Sequence, residues 1–223
     1  MHFSPRARRL GLTAHITASL GWFGAVAGFL ALGIAGLTSD DPQLVRASYL
    51  SMELVGWLVI VPFSLAALLS GIVQSLGTRW GLLEHYWVLA KLVITVVATA
   101  LLLLHMGPTS RLAEVAATAT LGLADLRELR VQLVADAVGA MIALLLATAL
   151  AVHKPRGLTP FGLRARAGRQ LDARSDTAAE AAVSPIWGRT LALVIIGLLV
   201  LFLIAHLAGG GMSNHRELLS RPH

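Results

Sequence analysis

Residues 86–106 read YWVLAKLVITVVATALLLLHM, an apolar stretch with a lysine near its start and a histidine near its end. As an α-helix this stretch is about 31 Å long, which matches the ~30 Å hydrocarbon core of a bilayer. An ammonium group at the centre of such a helix costs roughly 2.5–3.5 kcal/mol on insertion scales, so Lys91 is a candidate catalytic or cofactor-binding residue. The alternative is that Lys91 lies near one membrane surface and extends its amine to the headgroups.

Composition indicates that most of the chain lies in a membrane. Hydrophobic residues make up 56% of the 223 residues and charged residues 13%, and the mean hydropathy is +0.74. Soluble domains carry about 25% charged residues. We therefore predict an all-α membrane protein with five transmembrane helices. They cover residues 11–37, 49–76, 86–106, 131–152 and 187–208.

The first four helices are expected to form a four-helix transmembrane core, residues 1–153. An Arg-rich cytoplasmic linker, 154–186, would lead to the fifth C-terminal transmembrane helix, 187–208, and a flexible tail, 209–223. Between the third and fourth helices, residues 107–130 mix leucines with polar residues, which predicts an interfacial amphipathic helix on the outer face. Pro62 predicts a kink in the second helix, where the hydroxyl of Ser64 is placed to bond a freed backbone group.

The distribution of basic residues predicts the orientation. With the N-terminus inside, eleven arginines and lysines lie on the cytoplasmic side and six on the other. This predicts a multi-pass membrane protein with its C-terminus outside. The scarcity of lysine beside abundant arginine, alanine and leucine is compatible with a bacterial source, and so with the bacterial inner membrane. The net charge of +6 does not indicate nucleic acid as a partner, because the basic residues flank the membrane, where anionic lipid headgroups attract them.

Two glycines on the first helix suggest close helix packing. Gly24 and Gly28 form a small-xxx-small pair, which lets helices approach closely. Packing within the chain is one interpretation; a homo-oligomer face or a contact with a partner in a membrane complex is the other.

The chain has no cysteine. This excludes disulfides, thiolate metal sites, cysteine-ligated iron–sulfur clusters and covalent haem attachment. Histidine, methionine, carboxylates and Lys91 remain as ligands or acid–base groups.

These polar residues fall into two layers. On the cytoplasmic side, His15 in the first helix and Lys91 in the third are expected at similar depth, with His85 and His153 near the same surface. A buried imidazole can bind haem iron or another metal and titrates near neutral pH.

The outer layer contains Glu53, His105 and Asp136, with Met52 and Met106 as sequence neighbours. These side chains suit copper or another divalent cation, and they would need to converge on one point to bind it. The other interpretation is that they mark helix ends in contact with water. Lys91 and His105 share one face of the third helix but lie about 21 Å apart along it, so they would serve separate sites.

Several short motifs resemble one group of families. HITASLGWFG, residues 15–24, has a histidine followed seven residues later by Trp22 and resembles the first helix of the bacterial membrane-embedded protoporphyrinogen oxidases. The copper-resistance protein D family has a similar first helix. Trp87 followed by Lys91 and later His105, and the exit His153-Lys154-Pro155, are similar to the third and fourth helices of the oxidases.

The resemblance implies haem b bound near His15 as iron ligand, with Lys91 close to the porphyrin. Lys91 would then be a second ligand, a partner of a haem propionate or a proton-transfer group. It also implies an oxidoreductase, if the chain is an enzyme at all. The sequence differs from the oxidases at residues 24–30, GAVAGFL, and in its linker and fifth helix. Copper handling at the outer layer, or a non-catalytic accessory subunit, are the alternative hypotheses.

Overall fold

The computed structural model describes residues 4–77, 82–118, 126–155, 157–164 and 167. In these residues four helical segments are long and apolar enough to cross a membrane, as predicted for the core. The first segment is α1 (Pro5–Thr38). The second is continuous and consists of α2 (Pro42–Val55), a π-helical turn (Gly56–Ile60) and α3 (Val61–Gly77). The third and fourth are α4 (Tyr86–Ala117) and α5 (Arg127–His153). The predicted fifth helix 187–208, the tail 209–223 and most of the linker lie outside the described residues.

The four segments form a bundle in which each packs on two neighbours. Helix α1 packs on α2, α3 and α5, and α4 packs on the same three helices from the other side. Helices α1 and α4 therefore face each other across the interior of the bundle. Pro5, Gly77, Tyr86 and His153 lie at one end, which we call the N-terminal face, and the other end is called the opposite face.

A π-helical turn, Gly56–Ile60, lies just before Pro62, at the place of the predicted kink. Proline has no N–H to donate to the preceding turn, so the regular hydrogen-bond ladder cannot continue there. The buried hydroxyl of Ser64 donates to the carbonyl of Val61 at 2.8 Å, which is not the carbonyl that Pro62 leaves without its N–H partner one turn earlier.

The third span differs from the prediction at its C-terminal end. Residues 107–117 do not form a separate interfacial helix, because they continue α4 through Pro108. Leu112 and Ala113 are fully buried, and Leu112 belongs to the main hydrophobic core. Their apolar side chains therefore pack into the bundle instead of a lipid surface, and α4 reaches about 48 Å, well beyond the hydrocarbon core.

The first residues of the predicted linker are in contact with the core. Leu158 pairs with His85 in an antiparallel bridge, and the N–H of Thr159 donates to the carbonyl of Glu84 at 2.9 Å. Gly162 passes so close to that carbonyl that a side chain there would collide with it. Residues 157–164 thus pack on the connection before α4 at the N-terminal face.

Close helix packing occurs at glycines other than the predicted pair. A Cβ at Gly24 or Gly28 would meet nothing within 4 Å in the described part of the chain, so the packing predicted for them is not made by these helices. At Gly36 a Cβ would lie 2.8 Å from the ring of Tyr49. Arg130 of α5 donates to the Tyr49 hydroxyl at 2.7 Å and to the carbonyl of Gly36. This contact joins α1, α2 and α5 near the opposite face.

We predict that Gly36→Ala destabilises the protein by about 1–3 kcal/mol, the usual cost of overpacking. Tyr49 is 2% exposed and hydrogen-bonded to Arg130, so its ring cannot move away from an added Cβ without losing these contacts. Thermal unfolding in detergent measures the effect. Gly24→Ala is the matched control on the same helix, and we expect it to be neutral or stabilising by up to about 1 kcal/mol. Equal midpoints for the two variants would contradict the packing described for Gly36.

Candidate functional site

The two residues singled out near the N-terminal face are in direct contact. Lys91 Nζ lies 3.2 Å from His15 Nε2, although the residues are 76 positions apart in the chain. His15 lies on α1 and Lys91 on α4, so the contact crosses the interior of the bundle. The similar depth predicted for the two residues is confirmed.

Ser70 of α3 completes this site, and the sequence analysis did not identify it. The Ser70 hydroxyl lies 3.0 Å from His15 Nδ1. Like Ser64 and Ser75, it is a serine in an apolar helix, and its bond to the carbonyl of Ala66 is the usual one for such a residue. Only the packing of α1 against α3 shows that it also contacts His15.

The hydrogen-bond partners favour one tautomer of the imidazole. Ser70 uses its single hydrogen to donate to the carbonyl of Ala66, so its oxygen accepts from His15 Nδ1–H. His15 Nε2 then carries the lone pair and accepts from Lys91. The hydrogen bonds therefore run in one direction: Lys91 donates to His15, His15 donates to Ser70, and Ser70 donates to the backbone of α3.

A protonated Lys91 has no carboxylate partner within the described part of the chain. An ammonium group has three N–H donors, and His15 accepts only one of them. His105 and Asp136 form an ion pair elsewhere in these residues, and no carboxylate among them lies within ion-pair distance of Lys91. Neither His85 nor His153 joins the site: His85 precedes α4 and bridges to Leu158, and His153 bonds the carbonyl of Ala149 on its own helix.

This arrangement fits the acidic groups of haem b but not its iron. Both ring nitrogens of His15 have protein partners, Lys91 and Ser70. The ring also packs against α3, where a Cβ at Gly71 would lie 3.2 Å from His15 Cε1. An axial ligand must direct a lone pair at the metal, so iron would have to displace Lys91 from Nε2. Lys91 itself is suited to bind a carboxylate such as a propionate.

Toward the opposite face, His105 and Asp136 form a second pair. His105 Nε2 lies 2.9 Å from Asp136 Oδ2, and His105 Nδ1 donates to the carbonyl of Leu101 at 2.7 Å. Glu53 does not complete a metal site with them, because the described residues contain no group of three or more His, Asp or Glu placed to hold a metal ion. No specific observation therefore favours the copper hypothesis.

The methionines proposed as soft ligands are core residues in the structure. Met52 and Met106 are 1% and 2% exposed. The Met106 side chain fills the space left by Gly56 in the π-helical turn, where a Cβ would lie 3.0 Å from its sulfur. Met52 lies against Gly33 of α1 in the same way, so both methionines serve helix packing.

No protein-family model, curated protein or solved structure matches this chain. The functional argument therefore depends on the geometry of its own residues.

We predict that His15 is the Nδ1–H tautomer, because Nδ1 has an acceptor in Ser70 and Nε2 has a donor in Lys91. Nitrogen-15 NMR of histidine-labelled protein in detergent distinguishes the two tautomers. Ser70→Ala removes the acceptor, and we expect it to shift the His15 resonances and to cost about 1 kcal/mol of stability.

Ser75→Ala is the matched control, since Ser75 also lies on α3 and bonds only the carbonyl of Gly71. It should leave the His15 resonances in place. Observation of His15 as the Nε2–H tautomer in the wild-type protein would contradict this direction of the hydrogen bonds.

Proposed function

We propose that this chain is a multi-pass membrane protein that binds the acidic group of a lipid-soluble ligand at Lys91 and His15. One observation carries the proposal: Lys91 reaches the interior of the bundle, where its partner is a neutral imidazole and no carboxylate of the described residues balances its charge. A ligand carboxylate supplies the missing counter-charge.

The energetics favour a bound anion at this position. A charged side chain inside a membrane protein is costly, and such residues usually pair with each other or with a ligand. His15 stabilises the position of the ammonium group without neutralising it. Two N–H groups of Lys91 remain for an acidic oxygen, and hydrogen bonds of this charged type are worth about 1.5–3 kcal/mol each.

Within this ligand class, the resemblance to the membrane-embedded oxidases favours haem b or a related redox cofactor. Haem b carries two propionates, and the role that fits Lys91 is to bind one of them. When bound, haem would supply one-electron chemistry. The residues of this chain would bind its carboxylate and orient it within the bundle.

The distribution of basic residues supports an orientation with the N-terminal face in the cytoplasm of a bacterial cell. In that orientation the Lys91 site lies toward the cytoplasmic leaflet, and the Arg-rich residues of 154–186 are available to anionic lipid headgroups. A ligand with an acidic group would then enter from the same leaflet.

The direct test compares an acid with its neutral ester. We expect parinaric acid, a fluorescent polyene carboxylic acid, to bind the protein in nanodiscs about tenfold more tightly than its methyl ester. This corresponds to about 1.4 kcal/mol, within the range for a charged hydrogen bond. Lys91→Met should abolish the preference and Lys91→Arg should retain part of it.

Lys154→Met is the matched control, because Lys154 is the other lysine of the chain and is exposed at the N-terminal face. It should bind the acid as the wild type does. If the wild-type protein binds acid and ester equally, Lys91 does not recognise an acidic group and the proposal fails.

A visible spectrum decides whether haem b is the ligand. We expect reduced-minus-oxidised spectra of protein purified from haem-supplemented cells to show a Soret band and a sharp α-band, both weaker in Lys91→Met than in Lys154→Met. Loss of both bands in His15→Ala alone would instead assign His15 to the iron. A featureless wild-type spectrum would remove haem b from the ligand class and leave other acidic lipids.

A further inference from the structure

A second candidate site lies in a cavity of about 380 Å³ between α1, α4 and α5. Along α4 its lining extends from Ile94 to Thr109, a distance of about 22 Å. The cavity is therefore long and narrow, and its volume is within the ~300–1,000 Å³ range of small-molecule sites. Neither His15 nor Lys91 lines it.

The polar lining is concentrated at one end of the cavity. His105, Asp136 and Thr109 lie toward the opposite face, and the lining between them and Ile94 consists of apolar side chains with Trp22 and Gly139. This combination of a long apolar body and one polar end matches an amphiphilic molecule. Water alone would find polar partners only at the His105 end.

The cavity is open toward the surface that faces lipid. Ile142 and Leu146 of α5 belong to its lining, and they are 53% and 40% exposed. Since α5 is long and apolar enough to cross a membrane, these exposed positions are placed to contact acyl chains. A molecule dissolved in the bilayer can therefore enter between α4 and α5 without passing through water.

The hydrogen bonds of the polar end specify an uncharged ligand. Because His105 Nδ1–H donates to the carbonyl of Leu101, Nε2 has either a lone pair or a second proton. His105 Nε2 lies 2.9 Å from Asp136 Oδ2, within ion-pair distance, so a second proton on His105 balances the charge of the carboxylate. The pair is then neutral overall, in contrast to a protonated Lys91 beside His15.

We propose that this cavity binds an uncharged, lipid-soluble molecule with a hydroxyl or carbonyl group at one end, such as a long-chain or prenylated alcohol, phenol or quinol. The oxygen lies at His105 and Asp136, and the hydrocarbon tail extends along the cavity toward Ile94 and Leu146. A carboxyl group has about four acceptor positions, so Asp136 is able to bond both His105 and the ligand. The proposal uses none of the residues of the Lys91 site.

The experiment uses parinaryl alcohol, the neutral alcohol with the polyene chain of parinaric acid, with the protein in nanodiscs. Energy transfer from tryptophan reports saturable binding. The hydrocarbon of the same chain length, without the hydroxyl, is the comparison. We expect saturable binding of the alcohol, about three- to tenfold tighter than that of the hydrocarbon, the range of one net hydrogen bond.

Two variants test the location of the tail. Ala140→Phe fills the cavity with an aromatic ring and should weaken binding of both probes at least about tenfold, since the ring displaces methylene groups of the tail from apolar contact. Ala140→Leu adds less volume and should give a smaller loss of affinity. It provides a second measurement of the same effect if the phenylalanine variant is unstable. Val138→Phe is the matched control, because Val138 is on the same helix, 41% exposed and outside the lining.

A third variant tests the polar end. The double replacement His105→Phe with Asp136→Leu removes both partners of the pair, so neither is left buried and unpaired. It should retain hydrocarbon binding and lose the preference for the alcohol. Lys91→Met should change neither result, which separates this proposal from the function proposed above.

Three results would overturn the inference. The first is equal affinity of the wild-type protein for alcohol and hydrocarbon. The second is unchanged binding in both Ala140 variants. The third is a preference for the alcohol that survives in the double variant.

Discussion

The ammonium group of Lys91 needs a polar partner inside a bundle of apolar helices. One turn along the same helix, the hydroxyl of Thr95 donates to the backbone carbonyl of Lys91. The partner comes from α1, which faces α4 across the bundle, and it is in turn bonded to Ser70 of α3. Three of the four segments able to cross a membrane in the described residues are therefore joined by one chain of hydrogen bonds at one depth.

The two polar pairs of α4 differ in charge balance, and the two proposed ligands follow from this difference. At the N-terminal end a protonated lysine meets an imidazole, and no carboxylate of the described residues balances its charge. At the other end a histidine meets a carboxylate, and the charges cancel. A site with unbalanced charge attracts an ion of opposite sign, whereas a neutral pair in a low-dielectric cavity favours an uncharged headgroup. The same helix thus presents two chemically distinct sites, about 21 Å apart.

Near the opposite face the bundle is held by a different type of contact. Arg130 bonds Tyr49 and the carbonyl of Gly36, and its guanidinium group also lies 5.5 Å from the centre of the Tyr49 ring. The continuation of α4 through Pro108 brings Leu112 into the same core. Sequence reasoning assigned residues 107–130 to a lipid surface, because an amphipathic pattern is the same whether its apolar face meets lipid or another helix.

The sequence alone was sufficient to predict the class of protein, the four crossing segments of the core and the similar depth of His15 and Lys91. These properties depend on local composition and on helix rise, which neighbouring residues determine. Only the tertiary structure decided that Ser70 joins His15 and that His105 meets Asp136 without Glu53. It also showed that Gly24 and Gly28 are open while Gly36 is tightly packed. Such features depend on how each helix is rotated about its axis, and that rotation is set by side chains distant in the sequence.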